Sequence, residues 1–188
     1  MKSKISLAKK RKGAQVFRMT TLLCVLLLVA CQPQKKMEDP NRIVVKVAQV
    51  VSGQTIEVVG IGEQPSIITQ VRLLNIDAPD LQQRPWGDAA KQSLEALIGG
   101  EQSVTLEFDA DVKDSFGRTL AYVWKDGVLL NEQLVKQGHG LFAPRSPNNK
   151  YDRRLERAQQ WARLMGEGIW NPQKPMRLTP GEFRRQYR

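Results

Sequence analysis

The feature that most constrains this chain is the order of its apolar segments: three short Val/Ile-rich runs, a helical stretch, two more such runs, then helices. Arg42–Val51, Gln54–Gly60 and Ser66–Asn75 each favour a strand, because β-branched side chains pack well on a pleated surface. Ser52-Gly53 and the loop from Gly60 to Pro65 separate them, so the three read as a meander. Pro85–Ile98 reads as a helix, with Pro85 near its start, Asp88 in an early turn and Gly99-Gly100 as its stop. Ala89, Leu94, Leu97 and Ile98 are the candidates for its buried face. Ser103–Phe108 and Thr119–Trp124 are two further strands. Leu130–Gln137 predicts a short helix and Tyr151–Met165 a longer basic one, with Leu155, Ala158, Ala162 and Met165 at helical spacing. After Gly166, Pro172, Pro175 and Pro180 predict an irregular basic tail over residues 172–188. Five strands with a helix between the third and fourth predict a five-stranded OB-type barrel with about three helices. Such barrels commonly bind oligonucleotides, but the fold does not fix the function.

The formal net charge of +10 points to a polyanion partner only until its distribution is read. Residues 1–30 hold seven basic side chains and no acidic one, residues 31–144 are net −4, and residues 145–188 are net +7. Any attraction for a polyanion therefore sits in the C-terminal part, where a solvated basic helix is an equally good account of the charge.

The N-terminus reads as an address. A basic, polar stretch precedes Thr20–Ala30, an apolar run of 11 residues. A membrane span needs about 20 such residues, whereas a secretory signal needs fewer. The run ends in Leu28-Val29-Ala30-Cys31, which resembles a bacterial lipobox, with Ala30 before the cleavage point and Cys31 as the lipidated residue. Gln32 after the lipid site resembles the outer-membrane sorting signal of a two-membrane bacterium. Residues 1–30 are thus expected to be a signal peptide and residues 31–40 a polar tether, with residues 41–171 forming the folded domain. The expected protein is an exported lipoprotein of the outer membrane, periplasm or cell surface, held by lipid on Cys31. Cys24 would leave with the signal, so the mature domain would have no disulfide.

The most informative stretch runs from Val71 to Asp80, where a strand carrying Arg72 ends at a turn holding Asp77, Ala78, Pro79 and Asp80. Phosphodiester hydrolysis needs positive donors for the non-bridging oxygens and a carboxylate to orient or deprotonate water, often with a divalent metal. A guanidinium suits the first task because its fork matches two phosphate oxygens. The segment Asp114-Ser115-Phe116-Gly117-Arg118 places a second arginine at a loop-to-strand junction. Taken singly, either segment is more often a surface ion pair worth about 0–1 kcal/mol.

Taken together and in order, the blocks resemble the staphylococcal-nuclease-like (thermonuclease) family. Arg72-Leu73 followed by Asp77-Ala78-Pro79-Asp80 is similar to its first arginine block, and Asp114-x-Phe116-Gly117-Arg118 to its second. Pro85-Trp86-Gly87 opens the first helix, Asn131-Glu132-Gln133-Leu134-Val135 with Gly138 forms a later block, and Pro147-Asn148-Asn149 and Gly168-Ile169-Trp170 follow. The resemblance spans about Val44 to Asn171. It implies a nuclease in which Arg72 and Arg118 clamp the phosphate and Asp80 is the general base or water-orienting carboxylate. It also implies calcium held by Asp77 and the Ala78 carbonyl, a DNA or RNA substrate, 3′-phosphorylated products and a monomeric enzyme. Asp114, Phe116 and Arg145 are the further candidates for substrate contact.

The sequence departs from the family pattern in four places, one of them Phe116, which stands where many relatives have Tyr and so lacks a hydroxyl. Gln54 stands where the first metal block has a ligating Asp; an amide oxygen can coordinate calcium but brings no charge. Asp80 replaces the usual Glu, one methylene shorter. Phe142-Ala143-Pro144-Arg145 lacks the tyrosines that stack on a nucleotide, leaving Arg145 for stacking or phosphate contact. His139, the sole histidine, reads as a loop residue, and one histidine with one mature cysteine does not furnish a zinc site. Trp86, Trp124, Trp161 and Trp170 read as packing residues in preference to a base-stacking surface. The alternative function is a membrane-anchored OB-fold module that binds nucleic acid with weak or no catalysis.

Overall fold

The computed structural model describes residues 39–61, 66–100 and 102–187; the signal-like segment, Cys31 and nearly all of the tether lie outside the described residues. The expected meander is present as β1 (Arg42–Ser52), β2 (Thr55–Val59) and β3 (Thr69–Leu73), followed by the two-residue β4 (Ile76–Asp77). Helix α1 spans Trp86–Ile98, then come β5 (Ser103–Glu107), β6 (Thr119–Lys125), β7 (Val128–Leu129) and helix α2 (Leu130–Lys136). The short β8 (Leu141–Phe142) leads to α3 (Asp152–Met165), a 3₁₀ turn at Gly168–Trp170, and α4 (Pro180–Tyr187).

Barrel closure follows from one long strand and one parallel pairing. β1 pairs antiparallel with β2 through its C-terminal half and with β5 through its N-terminal half. Register shifts between Val47 and Gln49, and between Val50 and Ser52, let it bend around the core. β3 then pairs antiparallel with β2 and parallel with β6, closing the circuit β3-β2-β1-β5-β6. Val45, Val47, Ile56, Val58, Val71, Leu73, Val104 and Leu106 fill the interior. Each is worth about 1.5–3 kcal/mol when fully buried. β6 is buried on both faces from Thr119 to Val123, which explains its unbroken apolar run. Its outer face is covered by other elements, as Leu130, Leu134 and Leu155 of α2 and α3 join the same core.

Three expectations are corrected in detail. The buried face of α1 is Gly87, Ala90, Leu94 and Ile98, so Ala90 takes the place assigned to Ala89. On α3, Leu155, Ala158 and Ala162 are buried but Met165 is exposed, because Gly166 ends the helix in a left-handed turn. The tail predicted to be irregular forms α4, so the described residues contain four α-helices instead of about three. Thr179 caps α4: its Oγ1 accepts from the Glu182 N–H at 3.2 Å, while Glu182 accepts from the Thr179 N–H at 2.8 Å. No helix among the described residues is long and apolar enough to cross a membrane.

Candidate active site

The turn after β3 carries the acidic block, and buried amides hold it in place. Asn75 adopts a left-handed backbone (φ 57°), which asparagine tolerates better than most residues. Its Nδ2 donates to the Asn148 carbonyl at 2.7 Å and to Asp152 Oδ1 at 2.6 Å. Asn131, fully buried, donates to the Leu74 carbonyl at 2.8 Å and accepts from the Val123 N–H at 2.9 Å. β3, the turn and β6 are therefore tied to α2 and α3, and β4 pairs with β8 just beyond. Gly87 completes the cradle: a Cβ there would come within 2.0 Å of the Asp80 carbonyl oxygen. The Pro-Trp-Gly block thus has a positional reason, since only glycine lets α1 pack against the Asp80 loop. Gly53 does the same for the β1–β2 turn, where a Cβ would lie 2.5 Å from the Ala90 Cβ.

These elements surround an open cleft of about 640 Å³ lined by Arg72, Asp80, Phe116, Arg118, Arg145 and Arg184 among others. Arg72 projects from β3 and is only 4% exposed. Its Nη2 donates to the Ile76 carbonyl at 3.0 Å and lies 3.9 Å from Asp77 Oδ1. Its Nη1 is buried without a hydrogen-bond partner. Burial, then the like charges of Arg145, Arg118 and Arg184, bring its pKa down to about 10 against the opposing pull of Asp77. It stays charged at neutral pH, with a donor unmet.

Arg118 is set by its own loop. Asp114 Oδ1 accepts from the Phe116 and Arg118 N–H groups, each at 3.0 Å, and Oδ2 accepts from Arg118 Nε at 2.8 Å. A second Asp114 contact, at 2.7 Å, engages Arg118 Nη2. Burial opposes the Asp114 charge, but the hydrogen bonds from Arg118 and Phe116 outweigh it and hold the carboxyl below its ordinary range. Phe116 stands 82% exposed at the cleft rim, with the Arg118 guanidinium 5.3 Å from its ring centroid.

The residues expected at the site therefore divide. Arg72, Asp80 and Arg118 line one cleft, and Phe116, Arg145 and Gln54 join them there. Asp114 grips Arg118 from outside the cleft lining, as a positioning residue. Asp80 Oδ1 accepts from the Gln82 N–H at 3.0 Å, which fixes the carboxylate on its own loop. None of the four tryptophans lines this cleft, and neither does His139, whose pKa burial lowers against the pull of Glu167.

The donor set does not fit the calcium that the family resemblance implies. Gln54 Oε1 is taken by the Ala78 N–H at 2.6 Å. Both Asp77 oxygens accept from Arg184 Nη2 at 2.8 Å. Among the described residues, no group of three or more His, Cys, Asp and Glu side chains is placed to hold a metal. Arg184 was missed by sequence reasoning, although Thr179-Pro180-Gly181-Glu182 is a legible helix start, with a capping box and a proline in the first turn.

Comparison with known proteins places this geometry. Residues 70–172 match the family model described as staphylococcal nuclease homologue. The thermonuclease of Staphylococcus hyicus is 34% identical over 140 residues, covering 72% of this chain and 80% of that protein. The thermonuclease of Staphylococcus intermedius is 34% identical over 129 residues, covering 66% of this chain and 74% of that protein. Endonuclease YncB of Bacillus subtilis (strain 168) is 33% identical over 146 residues, covering 73% of this chain and 64% of that protein. With the closed five-stranded barrel and the arginine blocks on β3 and before β6, this chain belongs to the staphylococcal nuclease homologue family.

Proposed function

We propose that this protein is a nuclease that hydrolyses phosphodiester bonds of DNA or RNA in the arginine-lined cleft. The observation that carries the reading is one cleft facing four guanidiniums and Asp80, the only carboxylate residue lining it among the described residues. A dianionic transition state needs convergent donors, and a buried guanidinium with an unmet Nη1 supplies one without prior reorganisation. Arg72 and Arg118 donate to the non-bridging oxygens. Asp80 orients a water and accepts its proton as the new P–O bond forms. The P–O5′ bond then breaks, leaving a 3′-phosphate, and the proton passes to the departing 5′ oxygen. The names of the thermonuclease and endonuclease relatives support the same reaction class.

The test is cleavage of a fluorescent single-stranded oligonucleotide by the full-length chain in calcium, in magnesium and in EDTA. Cleavage in at least one condition is expected, and its absence in all three removes the enzyme. The altered acidic block favours a second reading, a binding module without turnover, which predicts salt-sensitive binding and no product.

Export and lipid anchoring at Cys31 belong to the same proposal, supported by the basic and then apolar leader before Ala30-Cys31. Cys31→Ser should release the protein from the membrane fraction, and retention of that variant would count against the anchor.

A further inference from the structure

The calcium position and the C-terminal helix meet at one carboxylate. Asp77 is about one-sixth exposed and carries Arg184 on both oxygens, with Arg72 Nη2 3.9 Å from Oδ1. Arg184 reaches this point on a fastened element. Gln83 Nε2 donates to the Leu178 carbonyl at 2.6 Å, Thr179 and Glu182 cap the helix reciprocally, and Pro180 is buried. Gly181, in the first turn, lies so close that a Cβ built there would be 3.9 Å from Asp77 Oδ2. Arg184 also lines the cleft beside Arg72 and Arg118, and it lies outside the residues matched to the family model.

Resting on the nuclease reading above, we propose that Arg184 replaces a divalent cation on Asp77 and serves as a third phosphate-facing guanidinium, so that this enzyme cleaves without metal. A cation at such a position has two tasks, to neutralise the acid and to present positive charge to the phosphate. Arg184 meets the first through its two contacts to Asp77. It meets the second through its place in the cleft wall, where a planar guanidinium offers donors that a carboxylate does not exhaust. Gln54 is the matching half of the exchange. Its neutral amide accepts from the Ala78 N–H, whereas an Asp there would add a second negative charge beyond the one that Arg184 balances at Asp77.

The experiment uses the full-length chain with three readouts: cleavage of a single-stranded oligonucleotide, its binding by fluorescence anisotropy in EDTA, and melting temperature with and without millimolar calcium. Wild type should cleave in EDTA at a rate within about threefold of that in calcium, and calcium should leave its melting temperature unchanged, since a ligand that binds the native state raises it. Arg184→Met should weaken binding in EDTA and slow cleavage, each by about tenfold, the size expected for losing one charge-assisted contact. Arg184→Lys should recover part of both. The pair Gln54→Asp with Arg184→Met should acquire a calcium-dependent rise in melting temperature. Cleavage that EDTA abolishes, together with a calcium-induced rise in wild-type melting temperature, would overturn this inference and leave the nuclease reading standing. An Arg184→Met protein that binds and cleaves like wild type would overturn it too. No cleavage in any condition would bring down both readings.

Discussion

Two buried charges in this barrel are treated in opposite ways. Glu107, on β5, is fully buried and saturated: Arg42 Nη2 donates to it at 2.8 Å, the Tyr151 hydroxyl lies 3.0 Å from both oxygens, and Lys150 closes the cluster. Burial alone would raise its pKa. The hydrogen bonds of Lys150 and Tyr151, with the charges of Lys150 and Arg42, win and hold it below its ordinary value. Arg72, on β3, is nearly as buried, yet it keeps an unmet Nη1, sits among like charges and is drawn down to about 10. The first charge joins β1, β5 and the segment leading into α3, and so belongs to folding. The second keeps an unmet donor in a cleft, the place where the proposed nuclease reading puts a phosphate that supplies the missing acceptors. Stability and function draw on the same physics here with the sign reversed.

The comparison breaks most visibly at the cleft. Arg118→Ala should lower the cleavage rate by about 10²–10³-fold, the usual cost of one transition-state donor, with the circular dichroism spectrum unchanged. A smaller loss would mean that Arg118 does not face the scissile phosphate. At the other charge, Glu107→Ala should cost about 2–3 kcal/mol in urea unfolding while leaving cleavage by the folded protein near wild type, because Arg42 and Lys150 can turn back to water. The pH dependence sharpens this point. The Glu107 pKa is depressed on folding, so its contribution is complete above its unfolded value of about 4.3 and is lost as pH falls through that value toward the folded one. The difference in urea midpoint between wild type and Glu107→Gln should therefore close in acid, and a gap that persists there would deny the charge its role. Asp114→Asn should slow cleavage by about tenfold, because one carboxylate oxygen bonded to Arg118 becomes an amide nitrogen. Rescue by Asp114→Glu would separate positioning from folding. The smallest effect belongs to Trp161→Ala: the ring is half-exposed, outside the cleft and paired with Lys136 at 5.5 Å, so stability should change by no more than about 0.5 kcal/mol.

The barrel was legible because each of its signals is local. Alternating β-branched runs, Gly-containing turns and the arginine blocks announce β1, β2, β3, β5 and β6, while the two-residue strands β4, β7 and β8 carry no such signal; the boundaries of α1, α2 and α3 fall within a residue or so of those read from the sequence. Arg72, Asp80 and Arg118 were legible through ordered blocks that resemble the family's, and all three line one cleft. What escaped was carried by long-range contacts. The three prolines after Gly166 read as disorder of pattern, although Thr179 and Glu182 cap a helix within them. Nothing local to that helix announces that Gln83, about a hundred residues earlier, tethers it beside Asp77. Gln54 shows the same limit. Its type was readable as an altered metal ligand, but the capture of its oxygen by the Ala78 N–H depends on how two distant turns meet.

The most direct test pairs two measurements on one substitution, Arg72→Met. The side chain that replaces the guanidinium keeps similar bulk; it removes an unmet buried donor, whose burial costs about 1–3 kcal/mol, and offsets this by losing the hydrogen bond from Nη2 to the Ile76 carbonyl. Oligonucleotide cleavage should fall at least about 100-fold while stability in urea stays within about 1 kcal/mol of wild type or rises. Cleavage that survives, or a loss of several kcal/mol in stability alongside it, would contradict the assignment of Arg72 to the substrate instead of the fold.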